Sequence, residues 1–77
     1  MDIKVLGTGC TKCKNLEKVV RDMVETMGIE ARVSKVEDIM DIMAYGIATT
    51  PALVIDGKVV MKGRVPSNDE IRKLLTQ

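Results

Sequence analysis

Apolar and polar positions change period several times along this chain of 77 residues, and each change predicts an element. Ile3 and Val5 alternate with Asp2 and Lys4, then Leu6 leads into Gly7-Thr8-Gly9, the pattern of a short strand entering a turn. From Cys10 or Thr11 to Met27 the period becomes helical. Leu16, Val20, Met23 and Met27 recur at intervals of four, three and four, Val19 and Val24 widen the stripe, and charges fill the opposite face. Gly28 follows the last apolar position and predicts the helix stop. Glu30–Ser34 reads as a second strand, with Ala31 and Val33 alternating against Glu30, Arg32 and Ser34.

Ser34-Lys35-Val36-Glu37 has capping-box spacing, with Asp38 the alternative start of a short helix. That helix carries Ile39, Met40, Ile42 and Met43 and ends near Tyr45-Gly46. Thr49-Thr50-Pro51 then opens Ala52-Leu53-Val54-Ile55, a continuous apolar run of the kind buried on both faces of a sheet. Asp56-Gly57 is a hairpin signal, and Lys58–Lys62 is the returning strand. Gly63 and Pro66 break the chain, and Ser67-Asn68-Asp69-Glu70 is a second capping box before a helix with Ile71, Leu74 and Leu75. The order is β-α-β-α-β-β-α. Its first β-α-β unit pairs two strands in parallel and its last two strands form an antiparallel hairpin. The expectation is a four-stranded mixed sheet flanked by helices, in the α/β class, as one domain over residues 1–77.

Composition narrows the chemistry. A hydrophobic share of 45% supports one compact core and argues against a large buried substrate cavity. With no His, Trp or Phe and one Tyr, the chain has no His-ligated metal site, no Ser-His-Asp or Cys-His hydrolase and no aromatic platform for single-stranded nucleic acid. A net charge of +1 makes no case for nucleic acid or an anionic membrane as partner. The longest apolar run, Ala52–Ile55, falls far short of the ~18–20 residues that span a bilayer. The N-terminus lacks a basic region followed by an apolar one, so no signal peptide is expected and the cytoplasm is the expected location.

Two cysteines remain, Cys10 and Cys13. In a reducing compartment such a pair is catalytic or metal-binding rather than structural, and a bridge across so short a gap removes little chain entropy. Three apart at a strand-to-helix turn, they share one face of the first helical turn. Cys10 meets unpaired N–H groups and the positive end of the helix dipole, and Lys12 and Lys14 add positive charge, surroundings that lower a thiol pKa. Cys13, one turn inside, is the expected resolving thiol. No cofactor is required. Taken singly, Lys12 and Lys14 read as solvated surface positions. A second reading uses the same thiolates to hold Cu(I) or another soft metal, as in small metal carriers of ferredoxin-like fold. Those carriers follow the order β-α-β-β-α-β, whereas this chain places a helix between its second and third strands and ends on a helix.

The chain resembles a small member of the thioredoxin/glutaredoxin superfamily. The likeness rests on Cys10-Thr11-Lys12-Cys13 after the first strand, on the stretch from Val36 through Ala44-Tyr45-Gly46 to Thr49-Thr50-Pro51, and on Leu53-Val54-Ile55-Asp56-Gly57-Lys58. It is nearest the small archaeal and bacterial thioredoxin-like proteins described as redox-active disulfide proteins. The resemblance implies a minimal thioredoxin fold and a protein-disulfide reductase with Cys10 as nucleophile. It further implies that Pro51 is a cis proline opposite the disulfide, and that Thr11, Lys12, Thr50 and Pro51 contact substrate. The implied partners are disulfide-containing target proteins and a recycling disulfide reductase, the protein itself acting as a monomer. Several positions depart from the family pattern. Gly9 stands where thioredoxins carry Trp, which implies a shallow groove read mainly through backbone pairing. Lys4 stands six residues before Cys10, where thioredoxins carry a buried acid, so Cys13 lacks its usual carboxylate. Gly63-Arg64 and Asn68-Asp69 are too loosely similar to a glutathione site to be carried over.

Overall fold

The computed structural model describes residues 1–76. Its elements follow the expected order: β1 (Asp2–Leu6), α1 (Thr11–Met27), β2 (Arg32–Val36), α2 (Ile39–Ala44), β3 (Ala52–Ile55), β4 (Lys58–Lys62) and α3 (Asn68–Leu75). The four strands form one sheet in the order β2-β1-β3-β4. β1 runs parallel to β2 and antiparallel to β3, and β3 is antiparallel to β4. This is the mixed α/β sheet of a minimal thioredoxin fold. No helix among the described residues is long and apolar enough to cross a membrane.

The central position of β3 explains its unbroken apolar run. Leu53 packs with Ile3, Val5, Leu16, Val20 and Ile71 in a cluster that joins the sheet to α1 and α3. Ala52 and Val54 turn the other way, to Leu6, Ile42 and Ile47 beside α2. A strand covered on both faces has no solvent side on which polar residues would be favoured.

β2 begins and ends two residues later than the alternation implies, at Arg32–Val36 rather than Glu30–Ser34. The inward phase survives, because Ala31 and Val33 both pack against the α1 cluster. The partner strand decides the boundary. Asp2 pairs with Arg32 and Leu6 with Val36, so β2 spans the stretch that β1 can hydrogen-bond. Ser34 thus lies within a strand and caps nothing. Asp38 is the N-cap of α2, its carboxylate accepting the Met40 N–H at 2.8 Å.

The hairpin forms at Asp56-Gly57, with φ of 49° and 83° at the two turn residues, the left-handed pair that matches strand twist. The second capping box also forms: Ser67 Oγ accepts the Glu70 N–H at 3.3 Å, and the Glu70 carboxylate accepts the Ser67 N–H at 3.3 Å. Glu70 further accepts two hydrogen bonds from the Arg64 guanidinium, at 3.0 and 2.6 Å. Those Arg64 bonds, followed by the Ser67 N–H, hold its carboxyl well below the ordinary 4.5, at about 2. A carboxyl whose pKa falls on folding stabilises the fold above its unfolded value and loses that contribution as pH drops through the folded one. The stability advantage of wild type over Glu70→Gln, read from urea midpoints, should therefore shrink as pH falls from about 5 to about 2. A difference that stays constant across that window would remove the ionised Glu70 from the account.

Candidate active site

Cys10 and Cys13 are joined in a disulfide, their Cα atoms 5.0 Å apart. Cys10 is the N-cap of α1, with extended backbone (φ −69°, ψ 164°), and the Cys13 N–H donates to Cys10 Sγ at 3.1 Å. A sulfur therefore occupies the place that Ser, Thr, Asp or Asn oxygens usually take at a helix start. The two cysteines differ in exposure. Cys10 is exposed, whereas Cys13 retains 5% of its surface. Thr11 and Lys12, between them on the first helical turn, are exposed.

The end of β1 is seated against this pair. Gly7 is buried and its N–H donates to the Val36 carbonyl at 2.9 Å. A Cβ at Gly7 would overlap Cys13 Sγ and lie 2.7 Å from Cys13 Cβ. Glycine is required here by close approach, a role that the Gly-Thr-Gly turn signal does not distinguish from chain flexibility.

The Thr50–Pro51 peptide is cis, as the resemblance implies. Pro51 is fully buried and Thr50 is exposed. Because Leu6 pairs with Ala52, Thr50-Pro51 enters β3 at the same end of the sheet from which Gly7 leads to the cysteines. The Pro51 carbonyl accepts the Gly63 N–H at 2.8 Å, which ties this segment to the end of β4. A groove of about 530 Å³ has Thr8, from the cysteine loop, and Thr50 among its lining residues, with an apolar wall from Ile39, Ile42, Met43 and Ile47. Ile39, Met40 and Met43 are 60%, 71% and 61% exposed. The groove draws its apolar wall from α2 and the segment after it, whereas Gly9 lies on the opposite side of the cysteine loop, lining the cavity beside Cys13.

A second, smaller cavity of about 50 Å³ lies on the α1 side of the sheet, where Cys13, Val5, Glu17, Lys35 and Glu37 meet. Glu17 keeps 18% of its side chain exposed, its Oε2 3.0 Å from Arg21 Nε and its Oε1 3.9 Å from Lys35 Nζ. Glu37 is 57% exposed and lies 3.8 Å from the same Lys35 Nζ. In the sequence Glu17 is one more charge on α1, and the four-residue spacing from Cys13 is its one signal. Lys4 is not part of this cavity. Its ammonium lies 3.4 Å from the Tyr45 hydroxyl, just beyond α2, and 4.0 Å from Asp2.

A family model described as a thioredoxin domain matches residues 1–76. The chain belongs to the thioredoxin family. It is 40% identical over 76 residues to a thioredoxin of Methanothermobacter thermautotrophicus, covering 99% of both chains. To a thioredoxin of Methanocaldococcus jannaschii it is 37% identical over 73 residues, 95% of this chain and 84% of that one. A probable thioredoxin of Archaeoglobus fulgidus is 35% identical over 69 residues, 86% of this chain and 75% of that one. With the bonded Cys10–Cys13 pair at the thioredoxin spacing, the chain is a thiol–disulfide oxidoreductase of thioredoxin type. The soft-metal carrier reading is not favoured: α2 stands between β2 and β3 and the last described element is a helix, which is not the ferredoxin-like order.

Proposed function

We propose that the protein reduces disulfides of target proteins, with Cys10 as the attacking thiol and Cys13 as the resolving thiol. The difference in exposure between the two cysteines carries this assignment. In the reduced protein the Cys10 thiolate attacks one sulfur of the target, the target's S–S bond breaks, and its first thiolate leaves and takes up a proton. Cys13 then attacks Cys10 Sγ, the Cys10–target bond breaks, the second target thiol departs, and the Cys10–Cys13 bond forms. The backbone N–H of Cys13 donates to Cys10 Sγ, and with the positive end of the α1 dipole it stabilises the negative charge there. The exposed Thr11, Lys12 and Thr50 contact the target, whose extended segment runs beside the Thr50–Pro51 segment. A disulfide reductase returns the oxidised pair to the dithiol.

The test combines turnover with chemical mapping. The protein should accelerate the precipitation of insulin by dithiothreitol. After reduction, a limiting amount of iodoacetamide should alkylate Cys10 well before Cys13, read by peptide mass spectrometry. Equal alkylation of both thiols would remove the assignment of roles. Absence of acceleration would remove protein disulfides as substrates.

A further inference from the structure

The family's usual carboxylate position, six residues before Cys10, is Lys4, and its ammonium is engaged by Tyr45 and Asp2 outside the Cys13 cavity. On the α1 side of β1, the residue that borders that cavity is Val5, which carries no proton. Cys13 at 5% exposure has little direct contact with bulk water, yet it must lose a proton before it attacks Cys10. Carboxylates enter the cavity from two other elements, Glu17 on α1 and Glu37 after β2.

We propose that Glu17 is the proton acceptor for Cys13 in the resolving step, through water held in the cavity the two side chains share. This rests on Cys13 being the resolving thiol. Residues four apart on a helix have Cβ atoms about 5–6 Å apart, a span that one water bridges. A cavity of about 50 Å³ exceeds the space one water needs, and it has polar partners on several sides. Glu17 suits the role better than Glu37 because it is the less exposed of the two, 18% against 57%, and stands on the cysteine helix itself. Arg21 occupies Oε2, whereas Oε1 is 3.9 Å from Lys35, beyond hydrogen-bond reach, and keeps lone pairs for water. The charged groups facing this carboxylate are Arg21 and Lys14 on α1, Lys35 on β2 and Glu37 beyond it. In the step, the Cys13 S–H proton passes through water to Glu17 as the Cys13 sulfur bonds to Cys10. The target leaves as a thiolate and takes up that proton, so Glu17 ends ionised as it began.

A carboxylate that acted on Cys13 only through its field would give the opposite sign. A nearby negative charge disfavours the thiolate, so removing it would speed the attack. The experiment uses the reduced protein and a chromogenic nitrophenyl disulfide in a stopped-flow instrument. The first released thiol reports attack by Cys10 and the second reports resolution by Cys13. In Glu17→Gln the second release should slow about tenfold near pH ~6 and approach wild type near pH ~9, as hydroxide from solution takes over the proton transfer, with the first release unchanged. Glu17→Asp should recover part of the rate, and Glu37→Gln should match wild type. A Glu17→Gln second release as fast as wild type or faster near the lower pH overturns the proposal. So does a uniform slowing at every pH, the mark of a purely structural effect. If Cys13→Ser still shows the second release, the resolving role itself is lost, an outcome separate from any Glu17 result.

Discussion

Cys10→Ser should reduce insulin-precipitating activity to the dithiothreitol background, while Cys13→Ser should retain the first attack and stall after it. The contrast follows from the order of the two exchanges. A serine hydroxyl at position 10 is neither ionised near neutral pH nor able to form the mixed disulfide, so no covalent intermediate begins. With serine at position 13 the mixed disulfide forms at Cys10, and no neighbouring thiol is present to displace the target. Turnover by Cys13→Ser should therefore also fall close to background, but the variant should accumulate a covalent adduct with a disulfide-bonded substrate. Non-reducing gels and intact-mass measurement read that adduct, and added dithiothreitol should dissolve it. An adduct through Cys13 in the Cys10→Ser protein, at comparable yield, would reverse the assigned roles. The buried position of Cys13 is the reason to expect none.

Gly7→Ala should destabilise the protein by overpacking the strand end against Cys13. The added Cβ would overlap Cys13 Sγ and lie 2.7 Å from Cys13 Cβ, and neither atom is the free end of a flexible chain. The Gly7 N–H is also bonded to the Val36 carbonyl, so the strand end cannot withdraw without opening the β1–β2 junction. Overpacking of this kind costs about 1–3 kcal/mol. In a domain of this size that corresponds to a drop in Tm of roughly 5–20 °C. The oxidised protein should lose more than the reduced one, because only in the dithiol is Cys13 Sγ free to turn to another staggered rotamer. Calorimetry on both redox forms checks this. Unchanged Tm in both would show that the end of β1 yields without strain.

The cysteine pair was legible in the sequence because its chemistry is local. Spacing of three, a strand-to-glycine entry and a following amphipathic stripe place two thiols on one helical turn whatever the rest of the chain does. Ala52–Ile55 was equally legible, since an unbroken apolar run between a proline and an Asp-Gly turn fits a central strand. The error at β2 has a definite cause. Alternation reports which residues face inward, and Ala31 and Val33 do. It does not report how far a strand extends, which depends on the hydrogen-bonding groups of β1. The capping-box spacing at Ser34 misled for the same reason: a side chain caps only where the backbone has left the ladder, and Ser34 has not.

The sequence by itself determined the order of elements, the two-faced burial of β3 and the redox pair, because each follows from periodicity or from neighbours a few residues apart. Tertiary structure alone decided three things. It placed Gly7 against Cys13, it set Thr8 and Thr50 on one groove walled by α2, and it gave Cys13 a cavity shared with Glu17, Lys35 and Glu37. Each depends on strand register and on how α1 lies over the sheet. Those are set by the packing of Leu16, Val20, Leu53 and Ile71 into one core, and no local pattern encodes which distant side chains such packing brings within reach.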